Sequence, residues 1–135
     1  MALILLDTCV ILDILDKKSH WHTWAKETFR DLTKAHDAVV NPIIFSELCA
    51  GMESPAAVQE LLDKLNIGEQ ALNHETLFLA AKAFVKYRKR GGQKTGVLPD
   101  FYIGAQAAVC HWPLVSRDKG RYTSYFPSVT VIMPD

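Results

Sequence analysis

Ala2-Leu3-Ile4-Leu5-Leu6-Asp7-Thr8 is a run of five apolar residues closed by an acid and a hydroxyl. Five residues are too few for a membrane span or for the core of a signal peptide. An unbroken apolar run, rather than an alternating one, marks a strand buried on both faces. Such strands belong to parallel sheets covered by helices, and the rest of the chain is consistent with one.

A short helix over residues 9 to about 16 is expected next. A longer one follows, capped by Ser19 and reaching about residue 35, in which Trp21, Trp24, Ala25, Thr28, Phe29 and Leu32 recur at helical spacing. That apolar stripe suits a core or an interface, with core preferred. Ala38, Val39 and Val40 form the second strand. Asn41-Pro42 and Ser54-Pro55 each join a capping side chain to a proline at the first helical position, which predicts helices over residues 43–50 and 56–65. A weak strand is expected near residues 70–72, then a helix over about 75–90 stopped by Gly91-Gly92. A loop over residues 91–98 precedes a helix from Pro99 to about residue 110. Residues 113–116 and 129–133 supply the last two strands.

The chain has 135 residues, 49% of them hydrophobic, so a single domain over residues 1–135 can bury a full core without disulfides or zinc. Cys9, Cys49 and Cys110 are odd in number and far apart, and read as reduced, mostly buried thiols of a cytosolic protein. No stretch is suited to span or anchor to a membrane. Fifteen Lys and Arg balance fifteen Asp and Glu, which removes overall basicity as an argument for nucleic-acid binding. Such a partner needs a local patch or metal ions.

Ligands of parallel sheets bind at the carboxyl ends of the strands. Asp7 directly follows the first strand, and Asp118 stands two residues after Ser116 at the end of another. Glu47 lies in the helix after the second strand, and Asp100 begins the helix that precedes residues 113–116. Glu47 and Asp100 sit in Ile43-Ile44-Phe45-Ser46-Glu47-Leu48 and Val97-Leu98-Pro99-Asp100-Phe101-Tyr102-Ile103, apolar settings where an unpaired acid is costly. Positions 43, 44, 50 and 51 offer Glu47 no Lys or Arg. A shared divalent cation accounts for these acids together, and oxygen donors alone suit Mg²⁺ or Mn²⁺. Without a metal, converging carboxylates repel, so at least one should have a raised pKa. Plainer roles exist: Asp100 suits the positive end of its own helix, and Asp118 suits a turn in Asp118-Lys119-Gly120. Asp13, Asp16, Asp31, Asp37 and Asp63 read as solvated surface acids.

In order along the chain, Leu5-Leu6-Asp7-Thr8, Phe45-Ser46-Glu47-Leu48-x-x-Gly51, Pro99-Asp100-x-x-Ile103-x-Ala105-x-Ala107 and Leu114-Val115-Ser116-Arg117-Asp118 resemble the motifs of the PIN-domain ribonucleases. The resemblance is in particular to VapC-type toxins of toxin-antitoxin pairs, and it extends to the tail Gly120-Arg121-Tyr122-x-x-Tyr125-Phe126-Pro127. It implies a three-layer α/β/α sandwich with a mostly parallel five-stranded sheet. It further implies that Asp7, Glu47, Asp100 and Asp118 are catalytic acids holding Mg²⁺ or Mn²⁺, with Thr8 and Ser116 as supporting hydroxyls. The activity implied is a cytoplasmic, metal-dependent endoribonuclease, a homodimer restrained by an antitoxin protein. Cys9 departs from the pattern, since relatives often carry Asn or Ser there; a thiol is a poor Mg²⁺ ligand, so packing is its expected role.

Lys82, Lys86, Arg88, Lys89, Arg90 and Lys94 cluster at the end of one helix and in the glycine-containing loop before Asp100, while Arg117, Lys119 and Arg121 flank Asp118. Cations at a helix C-terminus complement its dipole. Arg88, Lys89, Arg90, Lys94, Arg117 and Lys119 are also placed to hold RNA phosphates beside a cut. Metal-assisted hydrolysis leaves a 5′-phosphate and a 3′-hydroxyl, and no histidine pair stands beside these motifs to recruit the 2′-hydroxyl instead. An aspartyl phosphatase wants a second Asp where Cys9 stands, an aspartic protease wants Gly there, and His20 with His22 lacks a third zinc ligand. The remaining alternative is a non-catalytic RNA- or protein-binding module that retains the PIN fold.

Overall fold

The computed structural model describes residues 2–94, 96–118 and 120–135, the side chain of Arg121 excepted. Its central strand is β1 (Ala2–Leu6), in which Ile4, Leu5 and Leu6 are wholly buried. Strand β2 (His36–Val40) pairs on one side of it and β4 (Leu114–Val115) on the other. Strand β3 (Gly68–Glu69) extends the sheet beyond β2, and β5 (Val131–Ile132) beyond β4. The order is β3-β2-β1-β4-β5 and every pairing is parallel. Parallel neighbours need crossovers, and helices provide them: α1 (Thr8–Leu15), α2 (His22–Leu32), α3 (Pro42–Cys49), α4 (Pro55–Lys64), α5 (His74–Lys89), α6 (Leu98–Cys110) and α7 (Gly120–Tyr125). The result is the expected α/β class with a five-stranded sheet.

The caps behave as local chemistry dictates. Asn41 Oδ1 accepts from the Ile44 amide at 2.9 Å, Ser54 Oγ from the Ala57 amide at 3.1 Å, and Asn73 Oδ1 from the Thr76 amide at 2.8 Å, starting α3, α4 and α5. Ser19 does not cap α2, which starts only at His22; its hydroxyl donates to Asp13 and accepts from the Trp21 amide instead. Strand β3 falls ahead of the expected residues 70–72, on two exposed residues that give no apolar signal. Helix α7 adds an element that the pattern of the tail did not predict.

Trp24, Phe29 and Leu32 of α2 pack on the core, as the core reading expects, but Trp21 stands ahead of the helix against the His20 ring, and Phe78 and Val85 of α5 are exposed. Phe84, Tyr87, Phe101, Tyr125 and Phe126 form one aromatic cluster that joins α5, α6 and α7. At Gly104 in α6, a Cβ would lie 2.4 Å from the Phe126 ring and 3.1 Å from that of Tyr122. Only glycine lets the end of the chain approach so closely. The three cysteines are free and each is half-buried. Among the described residues no helix is long and apolar enough to cross a membrane.

Candidate active site

The amide of Asp7 donates to the Val115 carbonyl at 3.0 Å, which continues the β1–β4 pairing past the strand end and brings Asp7 beside Ser116. Asp7 is only 7% exposed and is the N-cap of α1. Its Oδ1 accepts from the Thr8 amide at 2.8 Å; its Oδ2 accepts from Ser116 Oγ at 2.8 Å and from the Tyr122 hydroxyl at 3.0 Å. A carboxylate oxygen has about two lone pairs, so Oδ2 is filled and Oδ1 keeps room for a further partner. Burial raises the Asp7 pKa, against the hydrogen bonds that lower it, and the charge of Asp118 adds the smallest increment. The raised acid that the sequence predicts is therefore present, but burial, and not crowding of carboxylates, is its main cause. Burial, then the charges of Asp7 and Asp100, raise the pKa of Tyr122, so its phenol stays protonated and remains a donor to Asp7.

Glu47 lies exposed on α3, where its Oε1 accepts from Thr8 Oγ1 at 2.6 Å. Asp100 stands in the first turn of α6, half-buried. Asp118 follows β4, its amide donating to Ser116 Oγ at 3.0 Å. These four acids, with Thr8, Cys9, Leu12 and Arg117, line one open cleft of about 320 Å³. Neither ion pair among the described residues involves Asp7, Glu47 or Asp118. Nor, among them, are three acidic, His or Cys side chains drawn into a closed ligand shell. An oxygen-lined cleft without a tight cage fits an ion that keeps several waters and takes one or two carboxylates, as Mg²⁺ does. It does not fit a dehydrated structural metal.

Both hydroxyls predicted to support the acids do contact them: Thr8 contacts Glu47 and Ser116 contacts Asp7. The basic residues divide. Arg117 lines the cleft, but its Nε donates to Asp13 Oδ2 at 2.7 Å. Asp13, expected as a solvated surface acid, is 4% exposed, because its α1 position faces inward beneath Arg117 and Ser19. Arg88, Lys89, Arg90 and Lys94 are exposed at the end of α5 and in the following loop, and none lines the cleft. Arg90 stacks over the Tyr125 ring at 5.4 Å, and Arg88 donates to the Gln93 carbonyl at 3.4 Å. Lys119 lies outside the described residues.

Sequence reasoning missed Tyr122, although the tail motif Gly120-Arg121-Tyr122 contains it, and missed Gln106. Asn41 Nδ2 donates to Gln106 Oε1 at 2.8 Å, and Gln106 Nε2 donates to the Ala71 carbonyl at 3.1 Å, a buried link between the helix of Glu47 and the helix of Asp100. A lone glutamine inside the apolar run Ile103-Gly104-Ala105-Gln106-Ala107-Ala108, where a buried polar group needs partners, was the available signal. Cys9 Sγ lies 3.8 Å from Ser116 Oγ, and burial pushes its thiol up to about 11, in keeping with a packing role.

A family model described as PIN domain matches residues 4–124. Solved structures share the fold across nearly the whole chain. VapBC2 from Rickettsia felis, bound to a DNA fragment from its promoter, has a TM-score of 0.74 at 15% identity, covering 98% of this chain and 99% of that one. VapBC-1 from nontypeable Haemophilus influenzae gives 0.72 at 13% identity, with 97% of each chain covered. A toxin-antitoxin complex from Klebsiella pneumoniae gives 0.69 at 19% identity, with 98% of each covered. At such identities the likeness is one of fold. No curated protein matches the sequence.

Proposed function

The chain belongs to the PIN domain family, and on that premise we propose that it is a metal-dependent endoribonuclease, the VapC-type toxin of a toxin-antitoxin pair. The observation that carries this reading is the meeting of Asp7, Glu47, Asp100 and Asp118 in one cleft from separate elements. Asp7, Glu47, Asp100 and Asp118 would hold Mg²⁺ or Mn²⁺. Once bound, the metal supplies activation of water and positive charge for phosphoryl transfer.

The chain's own residues prepare that chemistry. Ser116 and Tyr122 lock the Asp7 carboxylate with Oδ1 still open, and the buried charge of Asp7 is unfavourable without a cation. Thr8 holds Glu47 over the same cleft. Arg117 offers the guanidinium of the cleft to a phosphate oxygen. Arg88, Lys89, Arg90, Lys94 and Lys119 extend the phosphate contacts along the strand without reading sequence. The products would be a 5′-phosphate and a 3′-hydroxyl.

The antitoxin partner is supported by the kind of complexes in which the similar structures were solved. A homodimer, a cytoplasmic location and a single nuclease domain over residues 1–135 complete the reading. A non-catalytic module with this fold would bind RNA and leave it whole. Cleavage of a mixed single-stranded RNA pool, run with Mg²⁺, Mn²⁺ or chelator, separates the two. Wild type is expected to cut only with metal, and Asp100→Asn and Glu47→Gln to lose at least a hundredfold in rate, the loss of ~2.7 kcal/mol of transition-state stabilisation. Cutting that survives both substitutions at saturating metal would contradict the carboxylate site.

A further inference from the structure

Asp13 is a buried carboxylate in the last turn of α1, and the motifs of the cleft do not include it. Its Oδ2 accepts from Arg117 Nε at 2.7 Å, and its Oδ1 accepts from Ser19 Oγ at 2.8 Å and from Arg117 Nη2 at 3.5 Å. His22 Nδ1 lies 2.9 Å from the Asp13 carbonyl oxygen, so the start of α2 closes over the same residue. Arg117 stands between Ser116 and Asp118 in the chain and lines the cleft with all four acids. A mobile guanidinium there would fold onto the carboxylates of Asp7 or Asp118. Asp13 engages the Nε edge of the fork and so keeps it off them. Both Nη1 hydrogens and the second Nη2 hydrogen remain without a partner among the described residues.

We propose that Asp13 is a positioning residue, which holds Arg117 so that the outer edge of its guanidinium receives a phosphate of single-stranded RNA in the cleft; the choice of RNA rests on the nuclease reading. A fork fixed on one side by a carboxylate loses less freedom when it binds a phosphate on the other. The proposal opposes simple charge counting. Asp13 is negative, so if it merely neutralised Arg117 its removal would tighten RNA binding.

The test is the affinity of full-length protein for a fluorescently labelled single-stranded RNA of mixed sequence, in chelator, over a range of salt. Arg117→Ala and Asp13→Asn are each expected to weaken binding roughly tenfold and to reduce the salt slope by about 0.7, one phosphate contact on a single strand. Asp13→Asn should add nothing in the Arg117→Ala background. Asp13→Glu, which keeps the charge, should recover most of the affinity. Arg117→Lys keeps the cation but loses the fork and should bind nearly as weakly as Arg117→Ala, which reads the proposal even if Asp13→Asn fails to fold. Tighter or unchanged binding in Asp13→Asn, full affinity in Arg117→Lys, or no RNA binding by wild type would overturn it. In the Arg117→Ala background, where no guanidinium is left to fold onto the acids, Asp13→Asn should leave Mn²⁺ affinity unchanged; a loss there would make Asp13 a support of the acids and overturn the proposal too. Wild type that binds RNA but never cuts it with Mg²⁺ would refute only the nuclease reading.

Discussion

Asp7 concentrates the chemistry of the cleft in one side chain, and its surroundings make its charge sensitive to pH. Its folded pKa is raised above the ordinary 3.8, chiefly by burial. The native state therefore holds this proton more tightly than the unfolded chain, and stability falls as pH rises from the ordinary carboxylate range through the raised value. In chelator, wild type should gain melting temperature on mild acidification from neutral pH. Asp7→Asn should lose that gain and melt no lower than wild type at neutral pH. Excess Mg²⁺ should raise the melting temperature of wild type by mass action and hardly move the variant. Thermal scans at two pH values with and without metal check all three, and a markedly less stable Asp7→Asn in chelator would make Asp7 a structural acid. Tyr122→Phe removes one donor from Oδ2 and should cost about 1–2 kcal/mol in denaturant melts while raising the Asp7 pKa further. At this scale the four acids could be read from the sequence because each follows a strand or interrupts an apolar run. Tyr122 and Asp13 could not, because what defines them is a partner a hundred or more residues away.

The helices place these side chains, and two contacts keep the helices in position. Gly104 admits Phe126 and Tyr122 against α6, so a methyl there collides with a buried ring rather than with the free end of a flexible chain. Gly104→Ala should destabilise by about 1–3 kcal/mol despite the better helix propensity of alanine, and should weaken metal binding by displacing Tyr122 from Asp7. Denaturant melts and Mn²⁺ titration of the variant check this; a stabilised variant with full Mn²⁺ affinity would show that α7 does not support the site. Asn41 caps α3 and also bonds Gln106, so one side chain sets both the start of the Glu47 helix and its distance from α6. The starts of α3 and α4 were plain in the sequence because the cap and the proline are adjacent. Ser19 does not open α2 because its hydroxyl answers to Asp13, six residues back in α1. Strand β3 was misplaced because two exposed edge residues pair through backbone alone.

Over the whole molecule, the alternation of strands and helices fixes a parallel sheet, and the carboxyl-end rule then predicts that Asp7 and Asp118 share an edge. The strand order β3-β2-β1-β4-β5 lies beyond that pattern, since apolar periodicity does not say which strands are neighbours. The basic end of α5 is joined to the start of α6, where Asp100 stands, by the short segment from Arg90 to Val97. RNA leaving the cleft over that segment would meet Arg90 and Lys94. Arg90→Ala with Lys94→Ala should weaken RNA binding and flatten its salt slope by about 1.4, two single-strand phosphate contacts, while Mn²⁺ affinity stays unchanged. An unaltered slope in a binding titration would return these residues to the role of a solvated, dipole-complementing face. The toxin role predicts that expression alone arrests growth and that Asp100→Asn relieves the arrest; healthy growth with soluble, active protein would count against that role but not against the nuclease. The central claim, that the four acids work with a divalent metal to hydrolyse RNA, is tested most directly by the chemistry of the product ends. Fragments made in Mg²⁺ or Mn²⁺ should carry 5′-phosphates and 3′-hydroxyls, and none should form in chelator; products ending in 2′,3′-cyclic phosphates, or equal cleavage without metal, would contradict the account.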